Sequence, residues 1–536
     1  MVSPQFAAFT SLLCARAFSA LYLHITDCDE TFNYWEPMHY LLQGEGLQTW
    51  EYSPEYGLRS YLYLIIHSIP AWICKHVTEA NTATMFYATR CVFAIICAVL
   101  ETVLFSAIRY LFGTHASTIW IIFQAVSPGM YISSTAFLPS TFSMYMTMAF
   151  LTAWWYKKYK LAILSIVITS FVGWPFAALI CFPFLYEVLI QRRMFKFFIK
   201  WSIFFAVLVG LPILMVDSYF YGKTTFAPLN LILYNVFSSH GPNLFGIESK
   251  YFYFINLFLN FNIAWCFALS FPITAIVVTL KKPPKLPTTS FGSASLWKTL
   301  SLYIWILVFF VQPHKEERFI FPVYPLVSLC AALGALNCIN WLSRRINISF
   351  QTVVIGVISC YAALSVSRIA ALYLNYYAPM DITSSLEESS IAKNICYGKE
   401  WHRSPGNFLL PPNYRLRFIK SSFNGILPAY YQESNNATSV VHEYFNDENL
   451  ASAYMLFNYS MCDYLVDLDL GDEYNPNDLE PNHSSDSQNW EIIKTIRFLD
   501  SNRSCQLFRA FYIPFISSSR IRFGNYNLLK RKPQTL

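Results

Sequence analysis

The chain has 536 residues, 55% of them hydrophobic, 18% aromatic and only 13% charged, with a net charge of +6 and a mean hydropathy of +0.36. A soluble protein of this length carries about a quarter charged residues, so a soluble globular class is excluded. Lys and Arg fall in short loops between apolar runs rather than on one basic face, which gives no support to a nucleic-acid partner.

Apolar runs able to span about 30 Å of hydrocarbon predict about 11 membrane helices, at about 5–25, 60–77, 86–112, 117–135, 140–156, 161–190, 198–219, 253–280, 296–312, 318–341 and 350–377. The first run lacks a basic flank and reads as an uncleaved helix, not a signal peptide. Pro139, Gly173-Trp174-Pro175 and Pro183 mark the central runs as broken or re-entrant. Three basic groups set the orientation: Arg192-Arg193 with Lys196 and Lys200, Lys281–Lys285, and Arg344-Arg345. With these cytosolic, the N-terminus is cytosolic too. Loops at about 26–59, 220–252 and 313–317, and everything after 378, then face the lumenal side. Lys157-Lys158-Tyr159-Lys160 lands on the wrong side, which points to a miscounted or re-entrant helix between 113 and 160.

The organisation expected is a membrane domain over 1–378 and a small lumenal α/β or β-rich domain over 379–536, with strands at Asn407–Leu410, Tyr464–Leu468 and Phe508–Ile513 and an acidic linker at 469–489. Four Asn-X-Ser/Thr sequons, at Asn436, Asn458, Asn482 and Asn502, favour a glycosylated lumenal tail; the one other, Asn347, lies in an expected cytosolic loop. Most of the 13 Cys sit in apolar runs as small hydrophobes. In an oxidising lumen Cys396, Cys462 and Cys505 supply one disulfide among three pairings, of which Cys396–Cys462 is favoured. No Cys or His spacing resembles a zinc site.

Two segments carry chemistry. Asp27-Cys28-Asp29-Glu30-Thr31-Phe32-Asn33-Tyr34-Trp35-Glu36-Pro37 places four carboxylates within ten residues at a helix mouth, where desolvation is costly. The rings nearby (Tyr34, Trp35, Trp50, Tyr52) suit sugar stacking as well as interface anchoring; a solvated helix cap is the bland alternative. The second is His314-Lys315-Glu316-Glu317-Arg318, pinned between Pro313 and Pro322. Its cations suit a phosphate, and Glu316 and Glu317 can orient them or bind hydroxyls. On the same expected face, His240 and its neighbours to Glu248 offer a substrate groove or an ordinary ordered loop. Arg90 and Glu101, within apolar runs, lie eleven residues apart, too far to pair directly, and each calls for a partner on another helix.

The two charged motifs, with Gln48-Thr49-Trp50-Glu51-Tyr52-Ser53-Pro54, Phe220-Tyr221-Gly222-Lys223, Leu257–Phe261, Phe408-Leu409-Leu410-Pro411, Cys462-Asp463-Tyr464 and Arg509–Tyr512, resemble glycosyltransferase family 22 over nearly the whole chain. They are most similar to its branch that makes α1,2 bonds in asparagine-linked glycosylation. The resemblance implies a GT-C class helical membrane fold in the endoplasmic reticulum and dolichyl phosphate β-mannose as donor. It implies inverting transfer to the dolichyl-diphosphate-linked mannose-rich oligosaccharide, at the seventh and ninth mannose additions. By similarity to the acidic pair of such enzymes, Asp29 is the expected base, with Glu30 the close alternative. Asp27 and Glu36 hold acceptor hydroxyls or the loop itself, and Tyr34, Trp35, Trp50 and Tyr52 join them as acceptor-binding candidates. His314, Lys315 and Arg318 are the donor-phosphate candidates, supported by Glu316, Glu317 and His240. No metal or other cofactor is required in this scheme. The remaining readings are an α1,6 or glycosylphosphatidylinositol mannosyltransferase of the same family, and a lipid or sugar flippase. A flippase predicts internal repeats and charges at the bilayer midplane, and neither stands out here.

Overall fold

The structure is a computed structural model that describes residues 3–237, 242–281, 290–434, 436–471 and 479–533. Contacts divide the chain into two compact units, 1–21 with 91–213 and 245–369, and 22–90 with 214–244 and 370–536. The second unit takes in far more than the expected tail: the loop at 26–59 folds with it.

The first unit is helical. Among the described residues, five helices that lie in this unit or begin or end in it are long and apolar enough to cross a membrane: Thr82–Ala125, Phe195–Tyr221, Phe252–Lys281, Glu317–Ile346 and Phe350–Tyr376, with Tyr159–Phe171, Pro175–Gln191 and Ser293–Phe309 as shorter apolar helices of this unit. Thr82–Ala125 is broken at Gly113, whose φ of 86° stands where the two expected spans part. Glu317–Ile346 is the central helix, 94% buried over its most apolar stretch. Gly334 lets it touch Phe252–Lys281: a Cβ there would lie 2.2 Å from Phe267 O, the close backbone approach that small residues permit between membrane helices.

Buried charges are matched. Glu101 accepts from Arg16 Nη2 at 2.7 Å and Nε at 3.0 Å and from Gln124 Nε2 at 2.9 Å. Arg16, inconspicuous within the first apolar run, is the partner Glu101 called for. Within the second unit, Arg90 donates to Leu23 O at 2.8 Å.

The segment expected as one span at 161–190 goes down and returns. Its ends meet where Tyr159 Oη donates to Glu187 at 3.0 Å and Arg192 lies 5.3 Å from the Tyr159 ring. Lys160 lies 4.2 Å from the Trp201 ring, and Lys298 pairs with Glu187 at 2.8 Å. The groups around 157–160, 192–200 and 298 therefore share one end of this unit.

A helix of the second unit bears on the outlying Lys157–Lys160 group. The helix Tyr61–Val77, expected as a span, begins and ends among residues of one loop. Tyr61 packs on Tyr52 with ring centroids 5.2 Å apart, and Lys75 Nζ donates to Gln43 Oε1 at 3.1 Å and to Leu42 O. Its start is capped from elsewhere by Asp217, which accepts from Tyr61 N and Ser60 Oγ, both at 2.9 Å. Ile66, Ile69, Trp72, Ile73 and Val77 remain exposed along it, the apolar stripe of a helix lying in a membrane interface. A count that leaves this helix out and takes 159–191 as a returning pair would place every basic group on one side.

The tail forms a five-stranded sheet of order β3-β2-β5-β7-β6, from β2 (Lys393–Tyr397), β3 (Tyr414–Phe418), β5 (Tyr464–Asp469), β6 (Trp490–Asp500) and β7 (Arg522–Arg531). β2 is parallel to β3 and β5; β7 is antiparallel to β5 and β6. A small ribbon pairs β1 (Leu47–Gln48) with β4 (Ala429–Tyr430), tying the 26–59 loop to the tail. A disulfide joins Cys396 to Cys462, with Cα atoms 5.9 Å apart. Two expected strands are not strands. Asn407–Leu409 is a 3-10 turn because the Asn407 amide is committed to Glu36, and Gln506–Ala510 is a short helix. Asn436, Asn458 and Asn502 are exposed; Asn482 is half-buried and donates to Asp469 at 2.9 Å.

Single cysteines at Glu55→Cys and Glu79→Cys, flanking Tyr61–Val77 in protein stripped of reactive thiols, are expected to label from the same side of sealed vesicles with an impermeant maleimide. Labelling from opposite sides would restore that helix as a span.

Candidate active site

The acidic segment is one kinked helical run. Asp27 caps it, accepting Asp29 N–H at 3.0 Å, and Cys28–Glu30 passes through a π-helical turn, Thr31–Trp35, into Glu36–Gln43. Such π-turns mark functional stretches more often than ordinary ones. Gly44, at φ 80°, ends the run.

The extra residue in the π-turn splits the carboxylates. Glu36 is fully buried and accepts from Asn407 N at 2.5 Å, Asn407 Nδ2 at 2.7 Å and Leu47 N at 3.0 Å. Glu30 is 3% exposed and accepts from Trp35 Nε1 at 3.0 Å. Asp27 and Asp29 are half-buried. Asp29 is thus more open than Glu30, and Glu36 holds the loop rather than acceptor hydroxyls.

The aromatic candidates are also corrected. Trp35 and Tyr52 are fully buried, and Tyr34 and Trp50 are 2% and 7% exposed. Trp35 packs on Phe86 and Phe408 at 4.3 and 5.4 Å, Tyr52 Oη donates to Asn33 O at 2.9 Å, and Trp50 packs on Tyr56 at 5.0 Å. They build the loop's core and offer no face to a sugar. Arg59, which the sequence did not single out, ties this core together. It donates to both Glu51 oxygens at 2.9 and 2.8 Å and to Tyr34 Oη at 2.7 Å. Burial pulls this guanidinium down, but Glu51 and Tyr34 hold it above its ordinary value.

Among the described residues, one grouping of metal-type ligands exists, Asp27, Cys28 and Asp29, whose ligand atoms lie within 4.8 Å of one another.

In the other unit, the 314–318 loop docks on the segment before Phe252–Lys281 through Glu248 N and Pro313 O at 3.0 Å. His314 bonds Gly246 O through Nδ1 at 2.8 Å and Glu316 Oε1 through Nε2 at 3.1 Å. Donation from both nitrogens is the imidazolium pattern. Glu316 also pairs with Arg318, so one carboxylate contacts both His314 and Arg318. Glu317 turns inward and accepts from Asn260 Nδ2 at 2.7 Å, which takes it away from the cations. Lys315 is 6% exposed, and among the described residues its ammonium donates to Glu248 O over a long 3.5 Å. His240 lies outside the described residues.

Burial pushes the His314 pKa down, but Glu316 and the Gly246 carbonyl outweigh it and raise it above 6.5. The positive charge is therefore complete below 6.5 and lost as pH rises through the raised value. Histidine-selective NMR should place its midpoint above 6.5, and Glu316→Gln should lower it. A midpoint at or below 6.5 in the unsubstituted protein would contradict this geometry.

The profile of the Alg9-like mannosyltransferase family matches residues 7–411. The chain is 45% identical to the α-1,2-mannosyltransferase Alg9 of Drosophila melanogaster, over 98% of this chain and 87% of that one. It is 42% identical to the human α-1,2-mannosyltransferase ALG9, over 98% and 88%. Among solved structures, ArnT from Cupriavidus metallidurans bound to undecaprenyl phosphate aligns with a TM-score of 0.47 at 12% identity, covering 78% of this chain and 86% of that one. The helices long and apolar enough to cross a membrane agree with the helical membrane fold expected from the sequence. The chain belongs to the Alg9-like mannosyltransferase family and is a glycosyltransferase.

Proposed function

We propose that the protein transfers mannose from dolichyl phosphate β-mannose, with inversion, in α1,2 linkage onto the dolichyl-diphosphate-linked mannose-rich oligosaccharide in the endoplasmic reticulum lumen. The acceptors are those receiving the seventh and ninth mannoses. The observation that carries this reading is the near-full-length identity to α-1,2-mannosyltransferases. Gathering the basic groups on one side supports a cytosolic N-terminus, with the acidic loop, the 313–317 loop and the tail lumenal.

Inverting transfer needs a base on the attacking hydroxyl and stabilisation of the departing phosphate. Asp29 takes the proton from the acceptor 2-hydroxyl as that oxygen bonds to C1 of mannose; the C1–O bond to phosphate breaks, and its electrons leave with dolichyl phosphate. The half-open position of Asp29 supports this choice over buried Glu30. Lys315, His314 and Arg318 take up the charge developing on the phosphate, with Glu316 setting the last two. A group aimed at developing charge in a desolvated site is worth far more than in water. The phosphate is a weak base, so neither a general acid nor a divalent ion is needed in this scheme.

Asp29→Asn should lower mannose transfer in membranes by about 10²–10⁴-fold, the usual contribution of a positioned base, with expression intact. Glu30→Gln should cost less. Near-normal turnover by Asp29→Asn would remove Asp29 from the role.

A further inference from the structure

Parallel strands β2 and β3 carry their carboxyl ends to the same edge of the sheet, where open α/β sheets bind their ligands. Trp401 lies in the loop after β2 and Phe423 in the loop after β3, with ring centroids 4.5 Å apart and planes tilted by 38°. Trp401 is half-buried and Phe423 is 36% exposed. This contrasts with Trp35, which is fully buried and serves packing alone.

The loop that presents Trp401 is braced. Buried Glu400 receives Arg403 through both oxygens at 2.8 and 2.7 Å, and Lys399 pairs with Asp467 of β5 at 3.0 Å. A binding surface held by such pairs loses little conformational entropy when a ligand settles on it.

The same edge meets the acidic segment. Phe32 stacks 6.0 Å from Trp401 and 5.8 Å from Phe418, the last residue of β3, and Thr31 Oγ1 donates to Ser404 O at 3.2 Å. Asp29 lies two residues before Thr31 in that helical run.

We infer that Trp401 and Phe423 form a stacking platform for mannose residues of the acceptor oligosaccharide, leading its terminal hydroxyl toward Asp29. The inference rests on the mannosyltransferase reading above. A neutral glycan offers no charge to grip. Its apolar C–H faces settle on aromatic rings while its hydroxyls stay at the wet rim, the amphipathic contact that large rings provide. The tail thereby contributes to acceptor choice from loops that touch the helical run carrying Asp29.

With purified full-length protein and saturating donor, Trp401→Ala and Phe423→Ala should each raise the KM for a defined lipid-linked acceptor by about tenfold, the scale of a lost anchor residue. kcat and the donor KM should stay within about twofold, because neither ring touches the reacting atoms, and Trp401→Phe should recover most of the loss. An unchanged acceptor KM in Phe423→Ala, or a loss of kcat alone, would overturn the platform. Phe423→Ala carries the test even if Trp401→Ala loosens the contact with Phe32. Saturation-transfer NMR with a free mannose-rich oligosaccharide separates the platform from the reaction. Contact signals with the unsubstituted protein that vanish in Phe423→Ala support the platform even if no mannose is transferred, and their absence overturns it.

Discussion

The buried Glu36 carboxylate is the constraint on which the acidic site depends. An ionised carboxylate taken out of water costs several kcal/mol unless its oxygens are met by donors. Here they are met by a main-chain amide and a side-chain amide of Asn407 and by the main-chain amide of Leu47. Those donors come from the far end of the chain and from the β1 ribbon, so satisfying one charge fixes three segments at once. Gly406 is required at the junction, since a Cβ there would lie 2.5 Å from Glu36 Oε1 and its φ is +84°. With Glu36 anchored and Glu30 held by Trp35, the more open carboxylates left in the segment are Asp27, which caps the run, and Asp29.

This arrangement makes the tail part of the site's scaffold rather than an appendage. The loop that supplies Asn407 to Glu36 also supplies Trp401 to Phe32 and Ser404 to Thr31. Arg59 extends the same bracing on the other side through Glu51 and Tyr34. In the other unit, the basic loop is organised on the opposite electrostatic principle. Glu316 gathers His314 and Arg318, while Glu317 is diverted to Asn260, so positive charge is left in excess around Lys315.

Much of this was legible in the sequence, and the failures have physical reasons. Apolar run lengths report membrane helices because each needs a fixed stretch of hydrocarbon, and most of the expected runs coincide with helices to within a few residues. Tyr61–Val77 shows the limit of hydropathy, because an interfacial helix and a short span look alike by it; the structure adds contacts at both of its ends with the same loop. The charged motifs were visible as unusual composition, but the roles within them were not. Trp35 and Tyr52 look like a sugar-binding surface in one dimension and are core in three. Asn407–Leu410 read as a strand because its apolar pattern is explicit, whereas the pull of Glu36, 371 residues away, is not. Arg16 was hidden for the same reason: its partner lies on a different helix.

The central claim is the bond made and the acceptor that receives it. Purified protein given dolichyl phosphate mannose and defined truncated acceptors, followed by linkage analysis of the product, tests it most directly. The account predicts α1,2-linked mannose added to the dolichyl-diphosphate oligosaccharides that await their seventh and ninth mannoses. An α1,6 product, or transfer only to a glycosylphosphatidylinositol acceptor, would contradict it.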